Sequence, residues 1–219
     1  MEICVKIEDI KEKILLIIGE NEKVAIFGKN GVGKTTFLRA IAGLYVPQKG
    51  YIKYDEEVKV NFPINFLSYY KWMQYIKSNV LYLDKASFMY DNLSIEGNIN
   101  YFAAVGQVDK ENIYKDIRRY AIEESMKKAI SQLSEGTKQK LMIIFALNSN
   151  KKIILLDEPD KNLDEESMRL LLKDIINIKN KQIIMSTHLR KKELDGFINK
   201  FLLIDKKGVH INENYIYGN

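Results

Sequence analysis

The segment GKNGVGKTT, from Gly28 to Thr36, constrains this chain more than any other stretch. It follows the apolar run KVAIFG at 23–28 and opens GKTTFLRAIAGL, where Phe37, Leu38, Ile41 and Leu44 recur at helical spacing and Pro47 lies beyond. It fits G-x-x-x-x-G-K-[ST] in the strand–loop–helix setting that gives the pattern meaning. Gly28, Gly31 and Gly33 let the backbone take conformations a Cβ would obstruct. Successive N–H groups of such a loop, Asn30 included, can then face a phosphate at a helix N-terminus. Lys34 is expected to reach the β- and γ-phosphates, Thr35 to offer its hydroxyl to Mg2+, and Thr36 to bond the α-phosphate. The loop therefore implies nucleotide binding.

The remaining pattern says what surrounds the loop. KKIILLDEP, KQIIMSTH and KFLLID carry apolar runs of strand length separated by amphipathic helical stretches. Short, fully apolar runs alternating with helices indicate parallel strands covered on both faces. Alternation in Ile3, Val5 and Ile7 suggests a half-buried strand, and KILLII a second. From Gly50 to Leu83, segments such as YIKYD and VLYLD suit an antiparallel hairpin region. INFLSYYKWMQYIK within it fits helix or strand, and its aromatic residues read as local core or a contact surface. SIEGNINYFAAV, ENIYKDIRRYAIEESMKKA and EGTKQKLMIIFAL read as helices.

The expected fold is α/β: a three-layer P-loop core over residues 1–86 and 148–219, with an antiparallel β region, interrupted by a helical subdomain at 87–147. The 219 residues suffice for one such domain. No apolar run approaches the roughly 18 residues of a membrane-spanning helix, and the charged N-terminus is not a signal peptide. Cys4, the single cysteine, excludes an internal disulfide. The reading is cytoplasmic. The net charge of +5 is spread among glutamates and asparagines, so it marks a solvated surface, and no nucleic-acid partner is expected.

Acids at the end of KKIILLDEPD supply the second half of a site. Asp157 falls at the carboxyl edge of a buried strand, where open α/β sheets place their ligands. One aspartate there can hold Mg2+. Glu158 would sit just beyond the metal, placed to orient or deprotonate water attacking the γ-phosphate. His188, just past IIMS, reaches the same sheet edge and is assigned a γ-phosphate contact. A lone acidic turn or histidine is ordinarily solvated surface; a phosphate loop in the same chain favours the chemical reading. His210 is given no role.

Together these segments resemble the ATP-binding subunit of an ABC (ATP-binding cassette) transporter, over residues 3 to 212. GKNGVGKTT is similar to its Walker A, IILLDEP to its Walker B with the catalytic glutamate, NLD at 162–164 to its D-loop, STH to its switch histidine, and LSEGTKQKL at 133–141 to its signature. The resemblance implies a head-to-tail pair of nucleotide-binding subunits, expected to be identical copies. Each signature, through Ser134 and the backbone near Gly136, would close over ATP held by the other copy. Asp164 joins the nucleotide-contacting set by the same resemblance. It also implies ATP and Mg2+ as ligands, hydrophobic permease subunits as partners, and a place on the inner face of the membrane, in an export-type system. Glu135 and Thr137 replace the glycine and glutamine commonest in the signature. Lys85 stands at the Q-loop glutamine position, and ICVKIED lacks the aromatic on which the family stacks adenine. A soluble ATPase of this class without transport is the alternative; a P-loop kinase or GTPase fits less well, since NKFLLID does not have the guanine-reading spacing.

Overall fold

The computed structural model describes all residues except 9, 85–87 and 212–219. The expectation for Lys85 therefore lies outside the described residues. Two compact units emerge, one of residues Met1–Tyr82, Lys151–Glu158 and Lys179–Asn219, the other of Leu83–Asn150 and Pro159–Ile178.

The first unit holds two sheets among the described residues. Strands β1 (Glu2–Lys6), β2 (Ile14–Ile17), β4 (Lys49–Lys53) and β5 (Lys59–Phe62) pair antiparallel in the order β2-β1-β4-β5. Their alternation buries Ile3, Val5, Ile14 and Leu16 on one face and leaves Leu15 and Ile17 exposed on the other. The second sheet has the order β10-β9-β3-β8-β7-β6, from β3 (Lys23–Phe27), β6 (Val80–Leu83), β7 (Ile153–Asp157), β8 (Gln182–Ser186), β9 (Lys200–Ile204) and β10 (Val209–Ile211). Strands β7, β8, β3 and β9 run parallel, and all five residues of β7 and of β8 are buried, as their unbroken apolar sequences require.

Helix α1 (Lys34–Ile41) packs on β7 and β8 and buries Phe37, Leu38 and Ile41. Leu44, expected on the same face, is 65% exposed. The helix stops at Ile41 and Gly43 turns the chain at φ 72°, which takes Leu44 off the helical stripe. The segment VLYLD also departs from expectation. Its strand is β6, beside β7 in the largely parallel sheet, and not part of the antiparallel region. INFLSYYKWMQYIK resolves as helix α2 (Phe66–Asn79), whose start Asn65 caps by accepting the Ser68 N–H. The core reading of its aromatics holds for Trp72. Trp72 is fully buried against Phe62 and donates its indole N–H to the Tyr54 hydroxyl, whereas Phe66, Leu67 and Tyr70 are exposed.

The second unit is helical: α3 (Ile95–Ala104), α4 (Lys110–Arg119), α5 (Glu135–Leu147) and α6 (Glu165–Asn177). ENIYKDIRRYAIEESMKKA is α-helical only to Arg119, because Ala121 adopts φ 51° and ends the run; a single 3-10 turn, Glu123–Ser125, follows. Residues 159–178, which carry α6, group with this unit. Buried Asn98 ties the chain before α3 to the helix, accepting the Tyr90 N–H and donating to the carbonyls of Tyr90 and Ser94. Arg119 reaches Asp116 and Asp174, and Tyr120 donates to Asp174, which joins α4 to α6.

Candidate functional site

The phosphate loop leaves the end of β3 and enters α1. At Gly28, φ is 152°, and a Cβ would lie 2.4 Å from the Ile204 carbonyl oxygen, so only glycine fits there. Gly33, at φ 104°, caps α1 with backbone alone. Asn30, Gly31, Gly33, Lys34, Thr35, Thr36 and Glu158 line a cavity of about 250 Å³. Seven of the residues expected to act together are therefore in one place.

Lys34 is buried and donates to the carbonyls of Gly28 (2.8 Å) and Lys29 (3.2 Å). Burial lowers its pKa, and the negative charges of Glu158 and Asp157 oppose that shift. An ammonium at the mouth of a glycine loop suits a polyanion. Thr35 Oγ1 donates to Asp157 Oδ2 at 2.7 Å. A hydroxyl and a carboxylate on one another are the hard oxygens that Mg2+ takes from a protein when phosphates supply other ligands, so the residues present fit the ion.

Asp157 has further partners that the sequence did not reveal. Tyr82, on β6, donates its phenolic hydroxyl to Oδ2 at 3.3 Å, and Ser186, at the end of β8, donates to Oδ1 at 2.5 Å. The order β8-β7-β6 puts both beside the last residue of β7. Glu158 then leaves the strand at φ 52°, a conformation unusual outside glycine. Its Oε1 and His188 Nε2 lie 3.0 Å apart and share a hydrogen bond. His188 is thus brought to the site through Glu158. A basic imidazole touching a carboxylate beside a phosphate cavity can orient that carboxylate and meet an anion itself.

The signature residues and Asp164 form a group of their own in the helical unit. Ser134 caps α5, accepting the Thr137 N–H at 3.2 Å. Glu135 pairs with Lys138 at 3.0 Å. Gly136 sits under the segment before α6, where a Cβ would be 3.0 Å from the Asn162 carbonyl oxygen. Gln139 donates to the Pro159 carbonyl, and Lys140 bonds Asp164 Oδ2 at 2.9 Å. Asp164 Oδ1 meanwhile accepts the Ser167 N–H as cap of α6. These bonds, the Lys140 contact foremost, hold its carboxyl far below the ordinary range. Asp164, expected to touch nucleotide, has both side-chain oxygens engaged within its own unit.

A P-loop between a parallel strand and a helix, facing a carboxylate pair at the sheet edge, defines the nucleoside-triphosphate site of a P-loop NTPase. The family to which this chain belongs is narrower: residues 12–161 match the model of the ABC transporter family. The ABC transporter ATP-binding protein NatA of Bacillus subtilis is 30% identical over 185 residues, covering 82% of this chain and 72% of NatA. The spermidine/putrescine import ATP-binding protein PotA of Fusobacterium nucleatum is 32% identical, over 74% of this chain and 42% of PotA. Among solved structures, a dimeric post-hydrolysis state of the ATP-binding cassette MJ0796 bound to ADP and Pi superposes with a TM-score of 0.74 at 18% identity, covering 98% of this chain and 97% of that one. That likeness establishes the ABC ATPase fold.

Proposed function

We propose that this chain is the ATP-hydrolysing subunit that powers transport by separate membrane subunits. The observation that carries the reading is the meeting of Lys34, Thr35 and Glu158 at one cavity, with Asp157 bonded to Thr35 behind it. Loop N–H groups and Lys34 would grip the phosphates of ATP. Thr35 and Asp157 would hold Mg2+, which neutralises phosphate charge as the reaction proceeds. Glu158 would orient a water and accept its proton as that oxygen bonds to the γ-phosphorus and the β–γ bridging bond breaks. His188 would hold the Glu158 carboxylate and contact the γ-phosphate.

In this proposal ATP lies between two copies of the chain. Ser134 and the α5 N-terminus of one copy would cap the phosphate held by the loop of the other. The Glu135–Lys138 pair supports that role, since it draws the acid's charge to a cation. Asp164, held by Lys140 of α5, would join these residues at the nucleotide. The partners proposed are hydrophobic permease subunits, which would place the chain on the inner face of the membrane. Among the described residues no helix is long and apolar enough to cross a membrane. Export is the direction proposed; relatives named for import, such as PotA, make uptake the specific alternative, and the side of a vesicle on which cargo accumulates decides between them.

The chemical step is tested by two variants. Glu158→Gln should bind a fluorescent ATP analogue like the wild type and lose about 100-fold or more in hydrolysis. Lys34→Ala should weaken binding by about 100-fold, the worth of a charged contact. Normal turnover by Glu158→Gln would remove the carboxylate from the mechanism, and unchanged affinity in Lys34→Ala would overturn the loop assignment.

A further inference from the structure

Ser186 ends β8 and is fully buried. Its register partner across the parallel pair is Asp157, the last residue of β7. Two hydrogen bonds meet at its single hydroxyl. Oγ–H donates to Asp157 Oδ1 at 2.5 Å, and Oγ accepts the backbone N–H of Glu158 at 2.9 Å. Asp157 and Glu158 are adjacent in sequence, yet they differ in geometry: one completes the strand, the other turns away from it at φ 52°. Where a strand continued, the next N–H would meet a carbonyl of the neighbouring strand. Here a side-chain oxygen takes that N–H.

We infer that Ser186 is a positioning residue for both carboxylates of the site. With Oδ1 engaged by Ser186, the Asp157 carboxylate is fixed in rotation, and Oδ2 is the oxygen shared with Thr35 and Tyr82. That is the oxygen on the Thr35 side, where a cation would lie. The same serine holds the peptide N–H at the turn into Glu158, and so helps set a backbone conformation that costs energy outside glycine. Hydrogen-bond partners behind metal-binding and catalytic groups tune them by fixing their orientation. One hydroxyl therefore acts on the two halves of the chemistry: where the cation is held, and where the attacking water is aimed. The inference deepens the ATPase reading proposed above and rests on it.

Ser186→Thr and Ser186→Val provide the test, because the two side chains share a shape suited to a strand and differ only in the hydroxyl. For both we would measure kcat and KM for ATP, the Mg2+ concentration at half-maximal rate, affinity for a fluorescent ATP analogue with and without Mg2+, and Tm. Ser186→Thr should stay within about threefold of the wild type, and Ser186→Val should lose about 10- to 100-fold in kcat, the usual loss when a ligand's orienting partner is removed. KM should change less than kcat, and Ser186→Val should lose part of the affinity that Mg2+ adds while keeping its Mg2+-free affinity. A merely structural serine would lower Tm in Ser186→Val and leave kcat and Mg2+ dependence equal in the two variants; that result would overturn the inference. If Ser186→Val does not fold, Ser186→Ala, which adds no volume, takes its place in the same comparison. The wild type and Glu158→Gln together separate the two failures. A wild type that does not hydrolyse ATP refutes the ATPase reading itself, whereas an active wild type and an inactive Glu158→Gln beside equal Thr and Val variants refute only the role of Ser186.

Discussion

The side chains that the sequence made legible are those whose roles follow from neighbours along the chain. Lys34 and Thr35 could be read because the loop, its strand and its helix are contiguous, and Asp157 and Glu158 because the pair follows an apolar run directly. Ser186 and Tyr82 could not. Each acts on Asp157 from another strand, and the pairing depends on strand order, which no local pattern encodes. Ser186 within IIMSTH reads simply as a small residue ending a buried strand. Lys181 is another position whose chemistry only the fold discloses. Burial lowers its pKa from 10.5 to about 8, and nearby Lys23 adds to the shift. Between those values the unfolded chain holds the proton more tightly than the folded one, so this group makes stability rise as pH increases from about 8 towards 10.5. Below pH 8 its penalty is present in full. Lys181→Met should therefore raise Tm at pH 7 and flatten the rise above pH 8, and an unchanged melting profile across that range would contradict the assignment.

Elements were legible where one periodicity ruled, and obscure where tertiary partners chose. Strands β7, β8 and β9 follow from apolar runs, and α5 from its repeat. VLYLD alternates as an antiparallel strand would, but pairing beside β7 placed it in the other sheet. α2 was ambiguous because its aromatics do not fall on one face. Its packing is what settles it. Trp72 fills the space beneath the antiparallel sheet, meets Phe62 edge-on at 5.3 Å and links through the Tyr54 hydroxyl to the Ile41 carbonyl at the end of α1. This small chain of contacts fastens α2 to the helix that begins at the phosphate loop. Trp72→Ala should cost about 3–5 kcal/mol in urea unfolding, as for other large-to-small changes in a packed core. Phe66→Ala, at a position 81% exposed, should cost far less. Equal losses would show that α2 is not held by its buried face.

At the level of the whole chain, family membership was readable from motif order, and the loop and the signature fall in different compact units. Residues Gly28–Thr36, Asp157, Glu158 and His188 belong to one, and Ser134, Gly136 and Asp164 to the other. The alternation of apolar runs with helices groups residues 159–178 with the core, whereas the contacts of α6 include α4 and α5. The central claim is that the second group completes a site on another copy of the chain. Sedimentation velocity of Glu158→Gln, with and without Mg-ATP, tests this most directly, together with the same variant carrying Ser134→Arg. The account predicts that Mg-ATP converts Glu158→Gln from monomer to dimer, and that adding Ser134→Arg prevents the dimer while ATP still binds. A Glu158→Gln chain that remains monomeric when saturated with Mg-ATP, or a dimer indifferent to Ser134→Arg, would contradict it.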